Sequence, residues 1–286
     1  MNNDKILDLK KKAVDIRLGA VEAVYSGKSG HPGGALSAAD IIACLYFSEL
    51  NVDPKKPVDA NRDRFVLSKG HSCPALYAAM AMRGYFDIKE LKNFRKLGSL
   101  TQGHPDMKNM KGIDFSAGSL GQGFSVACGI ALNAKLNKQD YRTYVMIGDG
   151  ESQEGQIWEA TMFAAHYKLD NLCLIVDNNG LQIDGAVKDV MNTMPYPSKF
   201  RAFGWNVISI DGHNIEEILE AFEKAKATKG KPTVILPRQL RARAFPLWKT
   251  KLAGTARLQT RSNITRQNPS LKLTRLHFKE VTRNGR

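Results

Sequence analysis

The chain has 286 residues, 43% of them hydrophobic and 24% charged, which is ordinary for a soluble globular protein with one large α/β domain or two small ones. Its formal net charge of +14 is unevenly placed: 13 of the 42 basic residues but one of the 28 acids lie from Leu236 onward, so the first 235 residues carry +2 and give no nucleic-acid signal. No apolar run approaches the roughly eighteen residues of a membrane span. The first residues lack a signal-peptide pattern. Cys44, Cys73, Cys128 and Cys173 are scattered without CxxC spacing, as expected of reduced thiols in a cytoplasmic protein.

Leu9, Ala13, Ile16, Ala20 and Val24 recur at helical steps, predicting a first helix from about Asp4 to Tyr25, ended by Gly27. After the loop Ser29–Gly34 a second helix is expected to start at Ser37 as N-cap, with Asp40 completing a variant capping box. Arg64 to Leu67 reads as a short strand. Pro74 and Gly84 then bracket a helix, and Asp87 with Glu90 caps a short one running to about Arg95. From Gly98 to Gly123 the chain is irregular and glycine-rich. It is not a dinucleotide fingerprint, because the preceding Gly112–Ser116 is too short and polar for a buried strand. A helix from about Gln122 to Asn137 leads to a strand at Tyr144–Ile147, a helix at Ile157–Tyr167 and a strand at Leu172–Val176. Asp189 to Phe203 is read as a surface segment. Trp205–Ile210 is a strand, Asn214 with Glu217 caps a helix to about Thr228, and Thr233–Ile235 begins one more strand. Strands alternating with helices imply a parallel sheet covered on both faces.

Two loops stand out at the carboxyl ends of adjacent predicted strands, where open α/β folds bind ligands. One is Gly148-Asp149-Gly150-Glu151-Ser152-Gln153-Glu154-Gly155, the other Asp177-Asn178-Asn179-Gly180-Leu181-Gln182-Ile183-Asp184-Gly185. The Asp149 carboxylate, the Asn179 amide oxygen and the Leu181 carbonyl form an all-oxygen set suited to a hard cation such as Mg2+, which keeps positions open for phosphates. Gly148 and Gly150 let the backbone approach a diphosphate closely. The loop lacks GKS or GKT and is no nucleotide P-loop. His31, His71 and His104 each lie in a loop beside glycine and proline or serine, where no apolar periodicity explains them. Three such histidines suggest an active-site cluster, whereas His166 and His213 read as structural.

The paired GDGESQEGQIWEA and DNNGLQIDG segments resemble the metal and diphosphate signature of thiamine diphosphate enzymes in the version carried by transketolases. The resemblance runs from about Ile6 to Ile235. It implies the α/β thiamin diphosphate-binding fold over residues 1–236, with thiamine diphosphate and Mg2+, or another divalent cation such as Ca2+ or Mn2+, as cofactors. It implies that His31, His71 and His104 line the channel to the reacting carbon and contact sugar or cofactor, and that Gly118 and Leu120 of the GSLGQG loop touch the cofactor beside Asp149, Gly150 and Asn179. Glu154 and Glu159 match acids at the family's subunit interface. The glutamate that activates the aminopyrimidine ring belongs to a second domain that these residues do not contain. The resemblance therefore implies a separate C-terminal transketolase subunit with a pyrimidine-binding domain, a homodimer of this subunit within a heterotetramer, and sugar phosphate substrates, with no nucleic acid or membrane partner.

Residues 237–286 depart from the family, whose continuation carries another active-site histidine in a Trp-His-Gly loop. A codon sequence for that continuation, read one nucleotide out of frame, gives Pro237 to Arg257 of this chain. The basic tail is thus expected to be out of frame and poorly ordered. A 1-deoxyxylulose-phosphate synthase would also keep GDG, but NNGLQIDG and GESQEGQ are closer to transketolase. A basic tail binding nucleic acid is the reading from a different class.

Overall fold

A computed structural model describes residues 2–182 and 185–238. Helix α1 (Asn3–Ser26) leads to α2 (Pro32–Cys44), β1 (Arg64–Leu67), α3 (Cys73–Arg83) and, after a long irregular stretch, α4 (Gln122–Leu136). Strand β2 (Thr143–Gly148), α5 (Gly155–His166) and β3 (Leu172–Asp177) follow. Two-residue strands β4 (Leu181–Gln182) and β5 (Gly185–Ala186) pair antiparallel, then come α6 (Val187–Val190), α7 (Tyr196–Ala202), β6 (Asn206–Asp211), α8 (Ile215–Ala227) and β7 (Thr233–Arg238). The main sheet is parallel throughout, in the order β1-β2-β3-β7-β6.

The strands are apolar on both faces, and their side chains alternate between two cores. Phe65, Leu67, Tyr144, Met146, Cys173, Ile175 and Ile235 face α1, α2, α3 and α8. Val66, Val145, Ile147, Leu174, Val176 and Val234 face α4, α5 and α7. The expected doubly covered parallel sheet is the observed one. All four cysteines are buried free thiols, and burial pushes the Cys128 and Cys173 thiols up to about 12. Among the described residues no helix is long and apolar enough to cross a membrane.

Three expectations need correction. Helix α2 starts at Pro32, not Ser37: the proline ring presets the first helical φ and has no N–H to cap, so His31 becomes the flanking residue without a side-chain cap. Ser37 lies inside the helix, and its hydroxyl donates to Asp177 Oδ2 at 2.5 Å. The segment after Asp189 is not all surface. Tyr196 and Phe200, one helical turn apart on α7, are buried, with Phe200 packed 5.6 Å from the rings of both Trp158 and Trp205. Strand β7 also runs on through Pro237 and Arg238, which pair with Ile210 and Asp211 of β6. The rest of the tail expectation, from 239 to 286, lies outside the described residues.

The layer of α1, α2 and the β6–α8 turn is tied by a buried charged cluster. Arg17 donates to both carboxylate oxygens of Asp40, at 3.1 and 2.5 Å, and His213 Nδ1 lies 2.7 Å from Asp40 Oδ2. Burial alone would raise the Asp40 carboxyl, but His213 and Arg17 outweigh it and bring it down to about 2 from 3.8. A depressed carboxyl stabilises the fold above the unfolded value and loses that contribution as pH falls toward the folded one. About 2 kcal/mol should therefore be present above pH 4 and lost by about pH 2. Asp40→Asn is expected to lose at least that much at pH 7 and to flatten the acid limb, as measured by urea unfolding at pH 7 and pH 3. An unaltered acid limb would show that Asp40 does not carry it.

Candidate active site

Because β1, β2 and β3 are adjacent and parallel, their carboxyl ends deliver three loops to one sheet edge. β1 delivers Ser68-Lys69-Gly70-His71-Ser72, β2 delivers Gly148-Asp149-Gly150-Glu151, and β3 delivers Asp177 to Leu181. The amino end of α2 brings His31 over the same edge, and the turn before α4 brings Gly118 and Leu120. Together they line a cleft of about 380 Å³ that includes His31, His71, Gly118, Leu120, Asp149, Gly150, Glu154, Asn179 and Leu181. That volume is within the usual range for small-molecule sites. A second depression, beside Arg64, Asp114 and Tyr141, lies away from these loops and holds none of the predicted groups.

The cleft is built by close approach of its loops. A Cβ at Gly70 would stand 2.8 Å from the Ala117 Cβ, and Gly121, at φ +86°, makes a turn that other residues adopt only with strain. The His31 and His71 rings meet edge to face, with centroids 5.3 Å apart. Asp149 is 3% exposed. Its Oδ2 accepts from Gly180 N at 2.6 Å and its Oδ1 from Gly150 N at 2.9 Å, so the two predicted cation-binding loops are already joined. Asn179 Oδ1 accepts from Leu181 N at 3.2 Å.

Beneath them lies a layer of buried charge. Lys69 is 1% exposed and Asp177 0%. The Lys69 ammonium pairs with Asp177 Oδ2 and donates to Gly34 O at 3.0 Å. Asp177 Oδ1 has no hydrogen-bond partner among the described residues. Burial, joined by repulsion from Asp177, pushes the Asp149 carboxyl up to about 7, against the pull of the Gly180 and Gly150 amides and Lys69. Burial also raises Glu151.

These residues fit a divalent cation and a diphosphate. An acid held so far above its ordinary range, beside a second buried acid and one lysine, is relieved by a cation. No cluster of three or more His, Cys, Asp or Glu that could hold a metal exists among the described residues. A cation here would depend on the mixed set of carboxylate, amide oxygen and main-chain carbonyl, which suits hard ions. At Gly118 nothing lies within 4 Å of where a Cβ would stand, so the loop leaves room along the cleft.

Not every expected residue lines the cleft. His104 is half-buried and outside its wall. Its carbonyl accepts from Tyr77 Oη at 2.9 Å, and burial, with the charge of Arg95, holds the imidazole below its usual range. Glu154 lies at the rim, exposed, directly before α5; Glu159 is exposed on that helix and does not line the cleft. His213 belongs to the Asp40 cluster, and His166 packs edge-on against Tyr167. Sequence reasoning missed Lys69, Glu151 and Asp177 as site residues, although Glu151 and Asp177 sit inside the two loops it singled out and Lys69 lies two residues before His71. For Asp177 the available signal was a charged residue directly after the apolar run Leu172–Val176, whereas Lys69 and Glu151 stand two and four residues beyond theirs.

The family described as transketolase, thiamine diphosphate binding domain, matches residues 9–252, continuing past Leu236. The 6-deoxy-6-sulfo-D-fructose transketolase subunit SqwG of Clostridium sp. (strain MSTE9) is 45% identical over 252 residues, covering 88% of this chain and 92% of that protein. One subunit of the apulose-4-phosphate transketolase of Phocaeicola vulgatus is 42% identical over 216 residues, 76% of each. The transketolase of Homo sapiens is 42% identical over 85% of this chain, which spans only 39% of that protein. Among solved structures, transketolase from Leishmania mexicana superposes with a TM-score of 0.86 at 34% identity, over 92% of this chain and 41% of that one.

Proposed function

The chain belongs to the transketolase family as its thiamine diphosphate-binding domain, and from that membership we propose that it is one half of a split transketolase. It would transfer a two-carbon ketol unit from a ketose phosphate to an aldose phosphate, together with a separate C-terminal subunit that brings the pyrimidine-binding domain. The observation that carries this reading is the convergence of Asp149, Asn179 and Leu181 with His31, His71, Gly118 and Leu120 on one cleft. Two relatives of similar length are named as subunits, which supports the separate partner.

Asp149, Asn179 and the Leu181 carbonyl would hold Mg2+, or Ca2+ or Mn2+ in its place, and through it the diphosphate. Thiamine diphosphate, when bound, supplies the electron sink for breaking and remaking the carbon–carbon bond. His31 and His71 face the cleft as proton donors and acceptors for the sugar hydroxyls, orienting the donor and holding its protons. Glu154, exposed at the rim, suits contact with a second copy of this subunit in a heterotetramer. The buried thiols suit the reducing cytoplasm.

The test is a ketol-transfer assay of the full chain with a C-terminal transketolase subunit, with and without thiamine diphosphate and Mg2+. The panel would include ketose phosphates and 6-deoxy-6-sulfofructose, the sugar in the name of one relative. No cofactor-dependent transfer with any donor would overturn the proposal. A second experiment concerns His104, which we place at the approach to the cleft as a contact for the donor sugar. His104→Ala is expected to raise KM for the ketose and lower kcat by about tenfold or more, with cofactor affinity little changed. An effect confined to thermal stability would leave His104 as a structural residue only.

A further inference from the structure

We propose that Glu151 is a positioning residue, a buried carboxylate that holds three cofactor-binding loops in one arrangement. Its Oε1 accepts from Ser68 Oγ at 2.5 Å and from Gly121 N at 2.9 Å, and its Oε2 accepts from Gly148 N at 3.0 Å. Those donors come from three different parts of the fold. Ser68 begins the turn that presents Lys69 and His71. Gly121 follows Leu120 at the start of α4. Gly148 ends β2 immediately before Asp149.

Glu151 is 2% exposed, and a charge taken so far out of water persists only where its lone pairs are satisfied. Here the donors that satisfy it are the loops that must converge on the ligand, so the carboxylate and the site geometry depend on each other. Without the carboxylate the two backbone donors would be left buried and unpaired, and the loops would move apart to reach water. Glu151 borders the cleft, but both oxygens of its carboxylate are engaged by the loops, through which it acts. Its effect reaches the cation through Gly148 and Asp149, and the diphosphate through Leu120 and Gly121. Outer-shell groups that fix ligand orientation typically govern affinity by about 10- to 100-fold. The proposal rests on the reading of the cleft as a thiamine diphosphate site.

Glu151→Gln is the informative change. The amide keeps the shape and one oxygen, which can still accept from Ser68 and Gly121, but it turns an NH2 group toward Gly148 N–H, donor against donor. Asp63→Asn is the control. Asp63 likewise holds two backbone N–H groups, of Asn51 and Arg142, each at 2.8 Å, but at the opposite, amino-terminal edge of the sheet.

Two measurements on the full chain decide the matter. In amide hydrogen exchange, Glu151→Gln is expected to speed exchange at Gly121 and Gly148 together by about tenfold or more, with the β3 amides unchanged to show an intact fold. Ser68→Ala, which removes one donor, should loosen residues 68–72 alone. In calorimetric titration with thiamine diphosphate and Mg2+ in the presence of the C-terminal subunit, Glu151→Gln should bind about tenfold or more weakly while Asp63→Asn binds like wild type. Loosened loops with unchanged affinity, unchanged loops, or equal losses in both variants would each overturn the positioning role. A wild-type chain that binds neither probe would instead overturn the functional reading, and the exchange measurement would still decide whether Glu151 ties the loops.

Discussion

Asp149→Ala is expected to abolish Mg2+-dependent binding of thiamine diphosphate while leaving the fold nearly as stable as before. The carboxylate is the only charged group in the proposed cation set, and its removal should cost more affinity than the roughly 10- to 100-fold lost with an outer-shell partner. Stability should change little because two effects oppose each other. The Gly180 and Gly150 amides lose their acceptor, at about 1 kcal/mol each. Against this, burial and Asp177 already disfavour the ionised form, which is why the group is pushed up to about 7, so deleting it relieves repulsion. Calorimetry with Mg2+ and thiamine diphosphate in the assembled enzyme would measure the first effect and thermal melting the second. Retained affinity would remove Asp149 from the cation site.

Lys69→Met should have the opposite profile, a large loss of stability. Lys69 and Asp177 are both buried, and removing the cation leaves the Asp177 carboxylate without its charge partner in a low-dielectric site. Breaking a buried pair from one side typically costs about 3–5 kcal/mol. For a folded region of this size that corresponds to a fall of about 10 °C in Tm. The double variant Lys69→Met with Asp177→Asn removes the stranded charge and should recover much of the loss. A single variant that melts with the wild type would show that the pair is not needed to keep Asp177 buried.

Much of this molecule follows from the sequence through short-range rules. The bounds of β2 and β3, the helices between and after them, and the Asn214 cap are set by periodicity and by side chains that reach only a few residues. Asn214 Oδ1 accepts from Glu216 N and Glu217 N as its position implies. The GDG and DNNG loops could be placed at one sheet edge because a strand, a crossover helix and a parallel strand leave few alternatives. What local rules cannot supply is the distant partner of a buried charge. Glu151 bonds Ser68 across 83 residues, Lys69 meets Asp177 across 108, and Asp40 meets His213 across 173. Nor does periodicity show that Phe200 lies against two tryptophans, that β7 inserts between β3 and β6, or that His104 is not among the residues lining the cleft. The residues that the sequence marks as chemical are those whose neighbours in the chain explain nothing else about them. The residues that hold them in place became visible only in three dimensions, because a charge or ring tolerates burial only when the packed chain brings its partner to it.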